Sequence, residues 1–97
     1  MPRYAARRDE NERDIIDALK LAGWSVYQVD GRGFPDLVVA NGERTYLLEV
    51  IAPAKDAKYR HNQIAGLTEV QCHFHLQWKG IIHIVRSVEE ALEVIRQ

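Results

Sequence analysis

One β-hairpin constrains the fold of this chain more than any other segment. Two runs rich in β-branched and large apolar residues, 34–40 and 45–51, flank the dipeptide Asn41-Gly42. Asn-Gly between such runs is a strong signal for a tight turn, because both residues tolerate a positive φ. The sequence therefore predicts two strands that are joined by a short turn and pair in an antiparallel manner.

Helical and strand-like segments flank this hairpin on both sides. Helical spacing of apolar residues predicts helices over residues 9–22 and 68–78 and a last helix that begins at Ser87. Each begins with a capping-box pattern, and the pairs are Asp9 and Glu12, Thr68 and Gln71, Ser87 and Glu90. Short strands are predicted over 24–29 and 81–85. The order α-β-β-β-α-β-α predicts an α/β fold with a mixed four-stranded sheet flanked by helices.

The apolar stripes of the first two helices indicate which faces pack. The first helix has Ile15, Ile16 and Leu19 at helical spacing. In the second helix the predicted stripe consists of Val70, Phe74 and Trp78. We expect both stripes to face the sheet.

Size and composition exclude several classes of protein. At 97 residues the chain is predicted to form one domain over 1–97. No apolar run reaches the length of a membrane span, and the basic N-terminus lacks the apolar stretch of a secretory signal. A single cysteine, Cys72, excludes an internal disulfide and favours a reducing, cytoplasmic compartment. The net charge of −1 gives no support for nucleic-acid binding, which would need local clusters of basic residues.

Two acids in the predicted hairpin are the strongest candidates for a chemical role. Glu49 lies between Leu48 and Val50, and Asp36 directly precedes an apolar run. A carboxylate buried among such residues costs several kcal/mol unless it is paired or binds a metal ion. Carboxylates on adjacent strands can converge on one cation, and oxygen ligands favour Mg²⁺ or Mn²⁺.

Glu12 is a third candidate acid. It lies on the apolar side of the first helix, next to Ile15 and Ile16, and is therefore expected to point towards the sheet. The capping box with Asp9 explains a glutamate at this position equally well.

These residues belong to a longer pattern that resembles a known family. The segments concerned are Arg8-Asp9-x-Asn11-Glu12, Gly33-Phe34-Pro35-Asp36, Leu47-Leu48-Glu49-Val50, Leu67-Thr68-x-x-Gln71-x-x-Phe74-His75-x-x-Trp78-x-Gly80 and Ser87-Val88-Glu89-Glu90-Ala91-Leu92. Together they resemble the PD-(D/E)XK nucleases, and more narrowly the small phage-type members of the virus-type replication-repair nuclease (VRR-NUC) family. The resemblance covers nearly the whole chain.

The resemblance implies a restriction-endonuclease-like core and metal-dependent hydrolysis of DNA phosphodiesters. By its motif, Asp36 and Glu49 would hold Mg²⁺ or Mn²⁺ together with the backbone carbonyl of Val50. Glu12 would contribute directly or through water, and Gln71 would lie beside the site, although its capping box is an equally good explanation. Small stand-alone members resemble junction-resolving enzymes that act as dimers, so branched or structured DNA and a homodimer are the expected partners.

The chain departs from the family pattern at one important position. A lysine is expected two residues after Glu49, and this chain has Ile51 there. Loss of such a positioned group commonly lowers the rate by roughly 10²–10⁴. Three explanations remain open: Lys55 or Lys58 replaces the lysine, the chain is a weakened or inactive DNA-binding relative, or Ile51 is an engineered replacement. An interaction domain whose acids have only structural roles is a further alternative.

Two basic clusters are candidates for contacts with DNA phosphates. The first lies near the N-terminus and the second follows the hairpin, and their members are Arg3, Arg7 and Arg8, and Lys55, Lys58, Arg60 and His61. Such charges are as often simply solvated. Tyr4 and Tyr59 lie within these clusters and are weaker candidates for stacking on unpaired bases.

A zinc site formed by the cysteine and the histidines is a less favoured hypothesis. Cys72 and His75 are three residues apart on the second helix, and His73 and His83 lie nearby in sequence. The spacing of paired zinc ligands is missing. We expect Cys72 to pack in the core and His75 to lie near the sheet or meet a phosphate.

Overall fold

The computed structural model describes residues 10–31, 33–51 and 67–97. Within them the chain forms an α/β fold in the predicted order α-β-β-β-α-β-α. Its elements are α1 (Glu10–Leu21), β1 (Ser25–Gln28), β2 (Leu37–Ala40), β3 (Thr45–Val50), α2 (Glu69–Gln77), β4 (Ile82–Val85) and α3 (Val88–Ile95). No helix among these residues has the length and apolar character needed to cross a bilayer.

The four strands form one mixed sheet in the order β1-β2-β3-β4. β2 pairs with β1 and with β3 in an antiparallel manner, and β3 pairs with β4 in parallel. The predicted hairpin is confirmed, because Leu37 pairs with Leu48 and Ala40 pairs with Thr45. Its turn is closed by the Asn41 side chain, whose Oδ1 accepts from the amides of Glu43 and Arg44 at 2.9 and 2.8 Å.

Apolar side chains pack on both faces of the sheet. The larger cluster joins α1 and α3 to one face, and its most buried members are Ile15, Leu19, Leu37, Val39, Leu48, Val85 and Ala91. A smaller cluster of Ile51, Leu67 and Cys72 lies where α2 covers the sheet, as expected for Cys72. Side chains alternate along a strand, so Glu49 points to the opposite face from Leu48 and Val50, towards α2.

Two of the capping boxes can be compared with the structure, and Asp9 of the third lies outside the described residues. Thr68 Oγ1 accepts from the Gln71 amide at 3.2 Å, and Gln71 Oε1 accepts from the Thr68 amide at 2.9 Å, which confirms that box. Ser87 Oγ accepts from the Glu90 amide at 3.1 Å. Glu90 Oε1, however, accepts from the amide of Arg86 at 2.7 Å instead of that of Ser87. Only half of this box is therefore present.

The predicted stripe of α2 is wrong. Val70 and Trp78 are 43% and 42% exposed, whereas Cys72 is the buried residue of this helix. The physical reason is that the face of α2 towards the sheet meets Glu49 as well as the small apolar cluster. That face therefore presents polar groups and one cysteine in place of a continuous apolar stripe.

Candidate functional site

Glu49 is the most deeply buried polar side chain of the described residues, with no exposed surface. Two side chains of α2 reach it. Gln71 Nε2 donates to Oε2 at 2.9 Å, and His75 Nε2 shares a hydrogen bond with Oε1 at 3.1 Å. Gln71 therefore completes the capping box with its carbonyl oxygen and contacts Glu49 with its amide nitrogen. His75 lies near the sheet, as expected.

Asp36 lies at the start of β2, next to the strand that carries Glu49. The predicted strand over 34–40 is too long, because β2 begins only at Leu37 and Pro35 has no amide proton to donate to a ladder. The Asp36 carbonyl nevertheless accepts from the Val29 amide at 2.9 Å. Its carboxylate Oδ2 accepts from the amide of Val50 at 2.9 Å, which ties Asp36 to β3.

A glycine positions the loop that carries Asp36. Gly33 has a φ of 80°, a conformation that side chains rarely adopt. A Cβ atom there would lie 2.7 Å from Cγ1 of Val70, so the loop packs directly on α2. The amide of Phe34 donates to the Gly31 carbonyl at 3.2 Å and closes the turn before Pro35. The G-x-P-D segment is therefore held between β1 and α2.

Glu12 is buried at the start of α1, with only 5% of its surface exposed. Its Oε2 accepts from Gln28 Nε2 at 3.4 Å. The preceding residue fixes this end of the helix, because Asn11 Nδ2 donates to the carbonyls of Ile51 and Arg86, both at 3.2 Å. These carbonyls follow the parallel strands β3 and β4, so Asn11 holds Glu12 near the end of β3.

Asp36 and Glu12 both act electrostatically on Glu49. Burial, a hydrogen bond with the Asp36 side chain and the charges of Asp36 and Glu12 raise the pKa of Glu49 from 4.5 to about 9. In the absence of a cation Glu49 is therefore protonated at neutral pH. Burial also lowers the pKa of His75 below its ordinary value, so a neutral acid faces a neutral imidazole. The negative charges of Asp36 and Glu12 that help to raise this pKa would also favour a metal cation, which must displace the proton of Glu49 to bind its carboxylate.

Ile51 occupies the place where the family pattern has a lysine. It is 5% exposed and packs with Leu67 and Cys72, and Ile84 packs against the same cluster. Its backbone amide donates to the Val85 carbonyl at 3.0 Å. The site therefore receives no ammonium group from this position. Lys55 and Lys58, the alternative sources, lie outside the described residues.

The side chains near Glu49 can be compared with the ligands that zinc and magnesium require. Among residues 10–31, 33–51 and 67–97, no three His, Cys, Asp or Glu side chains are arranged to hold a metal ion. Structural zinc needs four such ligands, and Cys72 packs in the apolar cluster. Magnesium keeps several waters and is bound through one or two carboxylates. Asp36, Glu49 and a backbone carbonyl are thus a donor set that fits magnesium or manganese.

The residues that are predicted to contact DNA all belong to the two basic clusters. Arg7, Arg8, Lys55, Lys58 and Arg60 lie outside the described residues, as do Arg3, Tyr4, Tyr59 and His61.

Sequence reasoning missed the roles of Gln28 and Asn11. The side-chain amide of Gln28 contacts Glu12, and that of Asn11 contacts the carbonyls that follow β3 and β4. The signals for Asn11 were its position beside a candidate acid and its place in the segment Arg8-Asp9-x-Asn11-Glu12.

Comparisons with protein-family models, curated proteins and solved structures find no match to the chain.

Proposed function

We propose that this chain is a metal-dependent endodeoxyribonuclease with a restriction-endonuclease-like core that acts on branched or structured DNA. The observation that carries the proposal is the fully buried Glu49, whose carboxyl faces Asp36 and lies in the field of Glu12. Acids that raise the pKa of a buried carboxyl in an apolar setting cost stability, and such arrangements are concentrated at functional sites. The resemblance to the VRR-NUC family assigns the same residues to a nuclease site.

Asp36 and Glu49 would hold Mg²⁺ or Mn²⁺, with the carbonyl of Val50 as a third ligand. The amide of Val50 donates to Asp36. Because the N–H and C=O of a strand residue face the same neighbouring strand, the carbonyl of Val50 would lie on the same side of β3 as Asp36. When bound, a divalent ion polarises the scissile phosphate and activates water at neutral pH.

The remaining residues of the site would keep these ligands in place. Gln71 and His75 each hold one oxygen of Glu49 and so fix the orientation of its carboxylate. Groups that orient metal ligands commonly change metal affinity or activity by 10–100-fold. Glu12 adds a further negative charge that attracts a cation, and Asn11 holds the helix end from which Glu12 projects.

A second candidate function is a catalytically weakened DNA-binding relative. It is favoured by the burial of Ile51 in an apolar cluster, because no lysine is then available from that position to orient water or neutralise the phosphate. The variant Ile51→Lys separates the two candidates. A rise in magnesium-dependent cleavage indicates that the natural chain is weakened, and unchanged cleavage that depends on Glu49 indicates that another residue, such as Lys55 or Lys58, fills the role.

We further propose that the chain acts as a homodimer in a reducing, cytoplasmic compartment. Cutting two strands of a branched DNA calls for two sites, and symmetric dimers are the commonest assemblies. The cysteine at position 72 is free and buried, as is usual for proteins of reducing compartments. Sedimentation of the purified chain with and without a four-way junction tests the dimer.

The direct test of the activity is cleavage of a labelled four-way junction and of its duplex arms in Mg²⁺, Mn²⁺ or EDTA. We expect metal-dependent cleavage by the natural chain and its loss in Asp36→Asn and Glu49→Gln. Matched controls are Asp17→Asn and Glu43→Gln, which change exposed acids on α1 and in the hairpin turn. Cleavage that survives Asp36→Asn and Glu49→Gln, or that all four variants reduce equally, would overturn the proposal.

A further inference from the structure

Three aromatic side chains from two parts of the chain meet beside α2. The ring centroids of Phe34 and Phe74 are 5.2 Å apart, those of Phe74 and Trp78 are 5.4 Å apart, and those of Phe34 and Trp78 are 6.3 Å apart. We refer to these three residues as the aromatic cluster. Trp78 keeps 42% of its surface exposed, so the cluster is open to solvent on that side.

Two members of the aromatic cluster are close in sequence to residues of the acidic site. Phe34 lies in the loop that ends at Asp36, two residues further along the chain. Phe74 directly precedes His75, whose Nε2 lies 3.1 Å from Oε1 of Glu49. A strand of DNA whose phosphate reaches Asp36 and Glu49 would therefore bring its neighbouring bases to these rings.

The exposed ring of Trp78 is held in place by the backbone around it. Its amide donates to the Phe74 carbonyl at 3.0 Å, and its ring stacks on Phe74 with an interplanar angle of 21°. A Cβ atom on Gly80 would lie 2.8 Å from Trp78 Nε1, so the chain returns close to the indole. A fixed, half-exposed aromatic ring loses little conformational entropy when a second ring stacks on it.

A positive charge follows the aromatic cluster directly in the sequence. The chain has a net charge of −1 and carries 14 acidic residues, yet no Asp or Glu occurs between Glu69 and Glu89. That interval holds Lys79, which directly follows Trp78 and is exposed, and also Arg86. Local positive charge of this kind attracts nucleic-acid phosphates.

We propose that the aromatic cluster is a stacking platform for an unpaired base of the DNA strand whose phosphate lies at Asp36 and Glu49. The inference rests on the proposed nuclease function and names its substrate class. That class is DNA with unpaired nucleotides next to the scissile bond, since bases inside a continuous duplex are already stacked on their neighbours. Stacking of one base on an aromatic side chain is worth roughly a five- to hundredfold change in affinity.

Fluorescence anisotropy of labelled DNA in calcium chloride, and again in EDTA, tests the platform. The probes are a short oligothymidine and a blunt duplex of the same length. We expect Trp78→Ala and Trp78→Leu to weaken binding of the single strand by roughly five- to hundredfold and to leave duplex binding unchanged. Trp78→Phe should keep most of the affinity. The control Leu76→Ala removes an 82% exposed apolar side chain from the same helix and should change neither affinity.

Three outcomes would overturn the platform. The first is that the natural chain fails to bind the single strand. The second is that the Trp78 variants weaken single-strand and duplex binding equally. The third is that Trp78→Ala dissociates a dimer and leaves single-strand affinity unchanged. Trp78→Leu keeps apolar bulk and serves if the alanine variant fails to fold. Failure of the nuclease proposal can be distinguished from failure of the platform. In that case metal-dependent cleavage would be absent, while single-strand binding would still depend on Trp78.

Discussion

The backbone amide of Val50 donates a hydrogen bond to Oδ2 of Asp36 at 2.9 Å. This bond joins the acid that precedes β2 to the strand that carries the other central acid, Glu49. The bond therefore fixes the Asp36 carboxylate against the backbone of β3. Gln71 and His75 then orient Glu49 from the other side.

The raised pKa of Glu49 predicts an unusual pH dependence of stability in the metal-free protein. The folded chain holds a proton with a pKa of about 9 that the unfolded chain releases near 4.5, so stability should fall as pH rises between these values. The slope should approach at most about 1.4 kcal/mol per pH unit. Glu49→Gln should flatten this profile and stabilise the protein at pH 8, whereas Glu43→Gln should keep the slope. Urea unfolding in EDTA from pH 5 to pH 9 measures the pH dependence of stability. A natural chain whose stability rises over this pH range would contradict the prediction.

Gly33→Ala should destabilise the loop that carries Asp36. The substitution combines a positive φ with a Cβ that would lie 2.7 Å from Val70 Cγ1. Gly42→Ala is a matched control, because Gly42 has a φ of 99° and nothing lies within 4 Å of its Cβ position. We expect both variants to lose about 1–2 kcal/mol from the backbone conformation, and Gly33→Ala about 1–3 kcal/mol more from the clash. Thermal unfolding measures the difference, and Val70→Ala should restore part of the additional loss. Equal losses in the two glycine variants would show that the loop does not pack on α2 as described.

His75 should matter more than the neighbouring histidine on the same helix. His75→Ala removes a hydrogen-bond partner of Glu49, and we expect a 10–100-fold loss of metal affinity or cleavage. His73 is exposed, so His73→Ala should leave both quantities unchanged. Cleavage rates over a range of Mg²⁺ concentrations compare the two variants. An equal response of the two variants would contradict the role of His75.

Local patterns in the sequence were sufficient to predict much of this fold. The Asn41-Gly42 turn, the strand alternation that places Glu49 on the face opposite Leu48, and the Thr68–Gln71 capping box all depend on residues close in sequence. Each is present in the structure. The α/β class followed from the order of these elements.

The features that sequence reasoning missed depend on contacts between distant segments. Periodicity indicates that Val70 and Trp78 share a face of α2, but it does not reveal that a polar site occupies the sheet beneath the helix. The packing of Ile51 against Leu67 and Cys72, and the meeting of Phe34 with Phe74, likewise join parts of the chain that no local rule connects.

Calorimetric titration of Mn²⁺ into the metal-free chain at pH 8 tests whether Asp36 and Glu49 form a metal site. We expect one binding event per chain with release of a proton from Glu49, detected as a heat that varies with the ionisation enthalpy of the buffer. Glu49→Gln and Asp36→Asn should abolish binding, and Glu43→Gln should leave it intact. Absence of binding to the natural chain, or binding that survives both substitutions, would show that Asp36 and Glu49 do not form a metal site.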